Sequence, residues 1–198
     1  MVGSAAGAGR GINHLTRSRA GYLDKLRKRL HASGGGALRL RAYAEARRML
    51  DLDVRESGGN NHGKVVLEII RANGGPGPEA WCGDFMAWCY RKSGSRAVTR
   101  NWAVVKAIGG LAGVKRTKTP LKGNLIHWSF DHVSMFVSWC DASGREVAMK
   151  DATHVKSIDG NTTRAGAINV NDSAGGADGI YLKVRPRSLV TQFLHISR

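Results

Sequence analysis

Apolar residues recur at helical spacing through the first half of the chain and alternate through much of the second. In YLDKLRKRLHA (22–32), Leu23, Leu26 and Leu30 make one stripe of a short basic amphipathic helix, which SGGGA (33–37) breaks. Leu38, Leu40, Tyr43, Ala44 and Leu50 predict a second helix from Leu38 to about Leu52. KVVLEIIRANGG (64–75) reads as a helix stopped by its glycines. After the Gly/Pro elbow GGPGP (74–78), Cys82, Phe85, Met86 and Cys89 fall at i, i+3, i+4 and i+7, which predicts a helix over 81–92. A further apolar helix is expected from residue 101, in NWAVVKAIGGLAG.

The texture changes after residue 123. NLIHWSF (124–130), HVSMFVSWC (132–140), REVAMKDA (145–152), VKSIDGN (155–161) and GIYLKVRP (179–186) are short, β-rich and bounded by turn residues. INVNDSAGGADG, before the last of these, reads as loop. Helices followed by strands predict an α+β domain with an antiparallel sheet packed against the 81–92 helix. Residues 1–21 are Gly, Ala, Ser and Arg without periodicity and are expected to be disordered. The division is therefore a basic arm with short helices over 1–53, docking loosely as a linker, and a folded domain over 54–198.

Charge sharpens this picture. The chain of 198 residues carries 31 Lys and Arg against 15 Asp and Glu, for a net charge of +16. Residues 1–50 alone hold 11 basic and 2 acidic side chains, so the arm is the most cationic part. Such a surface attracts polyanions, among them anionic cell-wall polymers; no dedicated nucleic-acid site is expected. No apolar run is long enough to span a bilayer, and the first residues lack the apolar core of a secretory signal. Three cysteines cannot all pair within one chain, and their spacing suggests no structural zinc. Cys89 and Cys140 are expected as small, reduced core residues.

Cys82 differs, because it falls at the start of a helix, where free backbone N–H groups and the positive end of the dipole favour a thiolate. A nucleophilic thiol needs a base, and the base needs an orienting partner. His132 heads an alternating strand and is placed at a cleft mouth, whereas His127 lies inside the preceding strand and reads as structural. Asp159 and Asn161, two apart at a strand end, would share one face of the sheet, and either could orient the imidazole. The plain alternative is that SIDGNTT is a turn built from common turn formers. Asp84, one turn from Cys82, would oppose an anionic sulfur unless it faces away, and Trp81, Trp128 and Asp84 are candidates for a substrate groove. Trp88 on the helix reads as core.

The ordered set ESGGNNHGKVV, WCGDFMAWCYRKSG, KGNLIHW with DHVSMFV, and IDGNT resembles the CHAP family over about residues 54–196. These are the cysteine- and histidine-dependent amidohydrolases and peptidases of phage lysins and bacterial wall hydrolases. The resemblance implies a papain-like α+β fold and cleavage of a peptidoglycan amide bond. It makes Cys82 the nucleophile and His132 the general base, with Asp159 where the family usually has Glu and Asn161 where it has Asn. The chain departs from the usual pattern at Asn124, Gly83 and Ser134, where the family commonly has Asp, Ala and Gly. No metal or other cofactor is expected. The implied protein is made in the cytoplasm without a signal peptide and acts at the wall, by holin-dependent release or within a virion. The competing expectations are a cysteine protease or amidase for another amide substrate, and a non-catalytic module that binds polyanions or cell wall.

Overall fold

The computed structural model describes residues 37–165, 167–168 and 177–197. The amphipathic helix expected at 22–32 and the disorder expected at 1–21 lie outside the described residues. Among the described residues the architecture is α+β: four α-helices, the last a single turn, against one antiparallel sheet. Helix α1 is Ala37–Asp51, α2 is Lys64–Ala72, α3 is Cys82–Lys92 and α4 is the single turn Val105–Ile108. The helix expected from residue 101 is thus broken into a 3₁₀ turn, Arg100–Ala103, and α4.

Helix α1 corrects the division between arm and domain. Its Ala42, Ala46 and Met49 recur at i, i+4 and i+7 and are buried in the main core, so the folded unit includes residues assigned to the arm. Small alanines let the α1 backbone approach α3 closely, and Trp88 Nε1 donates to Glu45 Oε1 at 2.9 Å across that contact. In α2, Val66, Ile69 and Ile70 form the buried stripe that the sequence predicts. Helix α3 is buried on nearly every side, with Phe85, Met86, Ala87, Cys89 and Tyr90 all inside. It lies between α1 and α2 on one side and the sheet on the other.

The sheet contains β1 (Val114–Thr117), β2 (Leu125–Trp128), β3 (Val133–Cys140), β4 (His154–Thr162), β5 (Ala167–Ile168), β6 (Gly179–Pro186) and β7 (Val190–Ile196). Their order is β1-β7-β2-β3-β4-β6-β5, and every pairing is antiparallel. Leu125, Met135, Ile158, Leu182 and Leu194 face the helices; Ile126, Trp128, Phe136 and Val155 form a second cluster on the opposite face. The strand expected at 145–152 does not form. Instead the Asp141 carboxylate wraps a turn, accepting from the Ser143 and Arg145 backbone N–H groups at 3.0 Å each, and only a bridge joins Cys140 to Glu146. β1, β5 and β7 were not foreseen; Ile168, at the start of the expected loop INVNDSAGGADG, pairs with Leu182 in β6.

All three cysteines are free and buried, and Cys89 and Cys140 are wholly inside, as expected of small core residues. Among the described residues, no helix is long and apolar enough to cross a membrane.

Candidate active site

Three elements converge at one end of the sheet. Cys82 is the first residue of α3, after Trp81 in a non-helical conformation; the first helical bond runs from Phe85 N to Trp81 O at 2.8 Å. The elbow of residues 74–78 breaks the helical register of α2 and re-aims the chain, so α3 starts at the sulfur. The backbone N–H groups of this first turn have no intrahelical acceptor and point past Cys82. His132 immediately precedes β3, and Asp159 sits on β4, which pairs with β3 through Met135 and Ile158.

His132 Nε2 and Asp159 Oδ2 are 2.9 Å apart. That leaves Nδ1 free of Asp159, and the Cys82 side chain is near enough to the ring to act on the charge of the imidazole. Burial alone would lower the imidazole pKa, but the hydrogen bonds to Asp159 and Cys82 and the charges behind them outweigh it and raise the value to about 9. Asp159 is completely buried, which by itself would raise its pKa; His132, the Arg185 charge and the Ser157 hydroxyl instead hold the carboxyl below its ordinary range. Ser157 Oγ donates to Asp159 Oδ1 at 2.6 Å, and Arg185 Nη1 donates to Oδ2 at 2.5 Å. Each carboxylate oxygen is therefore engaged, and the imidazole is held in one orientation.

Asn161 does not orient His132. It has a left-handed backbone (φ 53°) where the β4–β6 register shifts, which turns its side chain toward the loop before α3. With its amide nitrogen facing acceptors, Asn161 donates to Asn61 Oδ1 at 3.1 Å and Glu56 Oε1 at 3.3 Å, and its oxygen accepts from Trp81 N at 3.1 Å. Glu56 also accepts from Trp81 Nε1 and from the Asn61 backbone, both at 2.8 Å. Thus Asn161 and Glu56 fix Trp81, the residue before Cys82, rather than the His132 ring.

The groove candidates need correction. Trp81, Trp128 and Asp84 are all buried, so none lines an open groove. Trp81 is held by Glu56 as above. Trp128 donates from Nε1 to Ser134 Oγ at 2.6 Å, which gives the hydroxyl at position 134 a local purpose. Asp84 accepts from Asn73 Nδ2 at 2.6 Å and from Arg100 Nη1 at 3.3 Å, so its carboxylate is bound toward α2 and the Arg100–Ala103 turn. Burial raises its pKa to about 6, and its Oδ2 has no partner. The exposed aromatic at the site is Phe130, 48% accessible, whose ring stacks on both Trp128 (5.9 Å) and His132 (5.8 Å). Trp88 is half-buried against α1, in keeping with a packing role. His127 is fixed structurally through Gln192 Nε2 at 3.0 Å.

Two other departures from the family pattern also have local reasons. A Cβ on Gly83 would lie 2.0 Å from the Trp102 carbonyl oxygen, so the 3₁₀ turn excludes any side chain there. Asn124 Oδ1 accepts from Leu121 N at 2.8 Å, closing the turn before β2 as a carboxylate would. Arg185, Ser157 and Phe130 were missed in the sequence. The available signal for Arg185 was a strand, GIYLKVRP, in which two cations alternate with apolar residues.

Among the described residues, no group of three or more His, Cys, Asp or Glu lies together as metal ligands would. No family model matches the chain, and no curated protein or solved structure is detectably similar to it. The site brings together a free thiol, an imidazole that can take and return a proton, and a buried carboxylate behind it.

Proposed function

We propose that this protein is a cysteine amidohydrolase or endopeptidase that cleaves an amide bond of peptidoglycan, on a papain-like fold of the CHAP type. The observation that carries the reading is Cys82 at the α3 N-terminus facing His132, whose far nitrogen is held by the buried Asp159. The choice of substrate rests on the resemblance of the four sequence segments. The net charge of +16 supports it, since bacterial walls are rich in anionic polymer.

The chemistry follows from the positions. With His132 protonated, the Cys82 thiolate attacks the scissile carbonyl carbon, and the oxygen takes up the negative charge. The Cys82 backbone N–H, free of an intrahelical acceptor at the helix start, is placed to donate to that oxygen. The tetrahedral species collapses as imidazolium gives its proton to the leaving amine, which departs and leaves a thioester on Cys82. Neutral His132 then removes a proton from water, the resulting hydroxide attacks the thioester, and the carboxylic acid leaves as the thiolate is restored. Asp159 accepts a hydrogen bond from Nε2 throughout, so Nδ1 remains the nitrogen that exchanges protons.

The test is turbidity loss of purified bacterial walls with the wild-type protein and Cys82→Ala. The wild type is expected to clear the suspension and the variant to fall to the buffer rate. Equal clearing by both would eliminate the thiol mechanism. Mass spectrometry of the soluble fragments identifies the bond: a free stem-peptide amine at the sugar, within the stem or at the cross-bridge. Cleavage of protein substrates but not of walls would move the substrate to another class of amide.

A further inference from the structure

We propose that Arg185 is a positioning residue that sets the charge of the Cys82–His132–Asp159 site and thereby keeps His132 available as a base; the inference rests on the reading of His132 given above. Arg185 is on β6, opposite Val155 of β4, and its side chain reaches along the sheet to Asp159, 26 residues earlier in the chain. Its Nη1 shares Asp159 Oδ2 with His132 Nε2, at 2.5 and 2.9 Å. Its Nη2 also reaches Thr162 Oγ1 at 3.4 Å. The guanidinium lies 5.3 Å from the Trp128 ring centroid and 5.5 Å from that of Phe130, the two aromatics stacked beside His132. Its side chain is 15% exposed, so the charge is only weakly screened by water.

The argument is one of charge balance in a buried site. With Arg185 present, neutral imidazole leaves Asp159 and Arg185 as a compensated pair with no net charge. Without it, each loss of the His132 proton would strand a carboxylate in the interior with no cation in contact, at a cost that favours imidazolium. Two nitrogens sharing one oxygen at these distances lie within roughly 5 Å, the range in which a charge shifts a neighbour by one to three pH units. The other groups around the ring do not replace it. Cys82 approaches from α3 as an anion or a neutral thiol, and Ser157 on β4 is neutral. Lys183 on β6 turns its buried ammonium to the carbonyl oxygens of Thr163, at 2.7 Å, and Ala165. Asp131, beside His132 in the chain, is 3.8 Å from Lys106 at the surface.

The experiment is an NMR titration of the His132 ring in the full chain, wild type against Arg185→Met and Arg185→Lys, with the pH profile of Cys82 carbamidomethylation by iodoacetamide alongside. The His132 midpoint is expected to rise by about one pH unit or more in Arg185→Met and to return at least halfway in Arg185→Lys. A midpoint in Arg185→Met that is unchanged or lower overturns the proposal, and so do equal shifts in the two variants, since lost packing would then suffice. Should Arg185→Met not fold, Arg185→Gln removes the charge but keeps a donor to Asp159, and the same upward shift is required of it. Neither readout uses a substrate. Failure of wall cleavage by the wild type would sink the peptidoglycan reading without moving the His132 titration, and an unmoved titration in a wall-clearing enzyme would sink only the role of Arg185.

Discussion

At the scale of single residues, the site divides on the proposed reading into groups that would exchange protons, Cys82 and His132, and groups that hold them in place. His132 gives the division a measurable consequence for stability. Its folded-state pKa, about 9, lies above the ordinary 6.5, so it contributes stability that is fully present below about 6.5 and is lost as pH rises through about 9. Thermal midpoints measured across that window should fall in the wild type. They should fall much less in Asp159→Asn, which removes the anion that holds the proton; the same slope in both would refute the assignment of Asp159. Activity in Asp159→Asn is expected to drop by roughly two to four orders of magnitude, because the ring loses the partner that fixes its tautomer. Cys82 and His132 were legible in the sequence because each stands at a boundary between element types, a helix start and a strand start; Asp159 was placed at a strand end but lies within β4, where regular pairing with β6 stops. The choice between Asp159 and Asn161 was not legible. It depends on a left-handed residue and a register shift that alternate facing cannot encode.

Elements explain why the sulfur stands where it does. The residue after Cys82 must be glycine here, because the turn Arg100–Ala103 lays the Trp102 carbonyl against α3. Gly83→Ala forces the two backbones apart and is expected to cost about 1–3 kcal/mol, with slower alkylation of Cys82 as the helix start shifts. Denaturant unfolding with parallel thiol-labelling rates checks both, and an unchanged labelling rate would uncouple the turn from the nucleophile. Helices α2 and α3 were readable from apolar spacing, and β6 was read residue for residue. β7 was not, since both of its faces carry apolar residues: Phe193 enters the outer cluster while Leu194 and Ile196 enter the inner one. With both sides apolar, the alternation that marks a strand fades. The false strand at 145–152 has the opposite cause: Val147 and Met149 suggest alternation, but Asp141 captures the chain in a turn first.

For the molecule as a whole, the division into arm and domain turns on α1. Its arginines made it read as an extension of a cationic tail, whereas its alanines are what the fold uses. Ala46 lies wholly inside the core, so Ala46→Glu would bury a charge without a partner and is expected to cost about 3–5 kcal/mol in urea unfolding followed by tryptophan fluorescence. A loosely docked helix would tolerate the change with no loss. The misreading has a physical origin: arginine stems with exposed heads mask a narrow buried stripe, and net charge reports on the surface rather than on packing. The antiparallel sheet follows from short strands bounded by turns; the order of those strands does not.

The seam through Glu56, Asn61, Asn161 and the Trp81 main chain ties the end of β4 to the segments that lead into α2 and α3, using groups other than Cys82, His132 and Asp159. Capping the thiol with a bulky electrophile should therefore leave that stitching closed. The result would be a silenced molecule and not a melted one, with the helix wall and the sheet wall still fastened to each other.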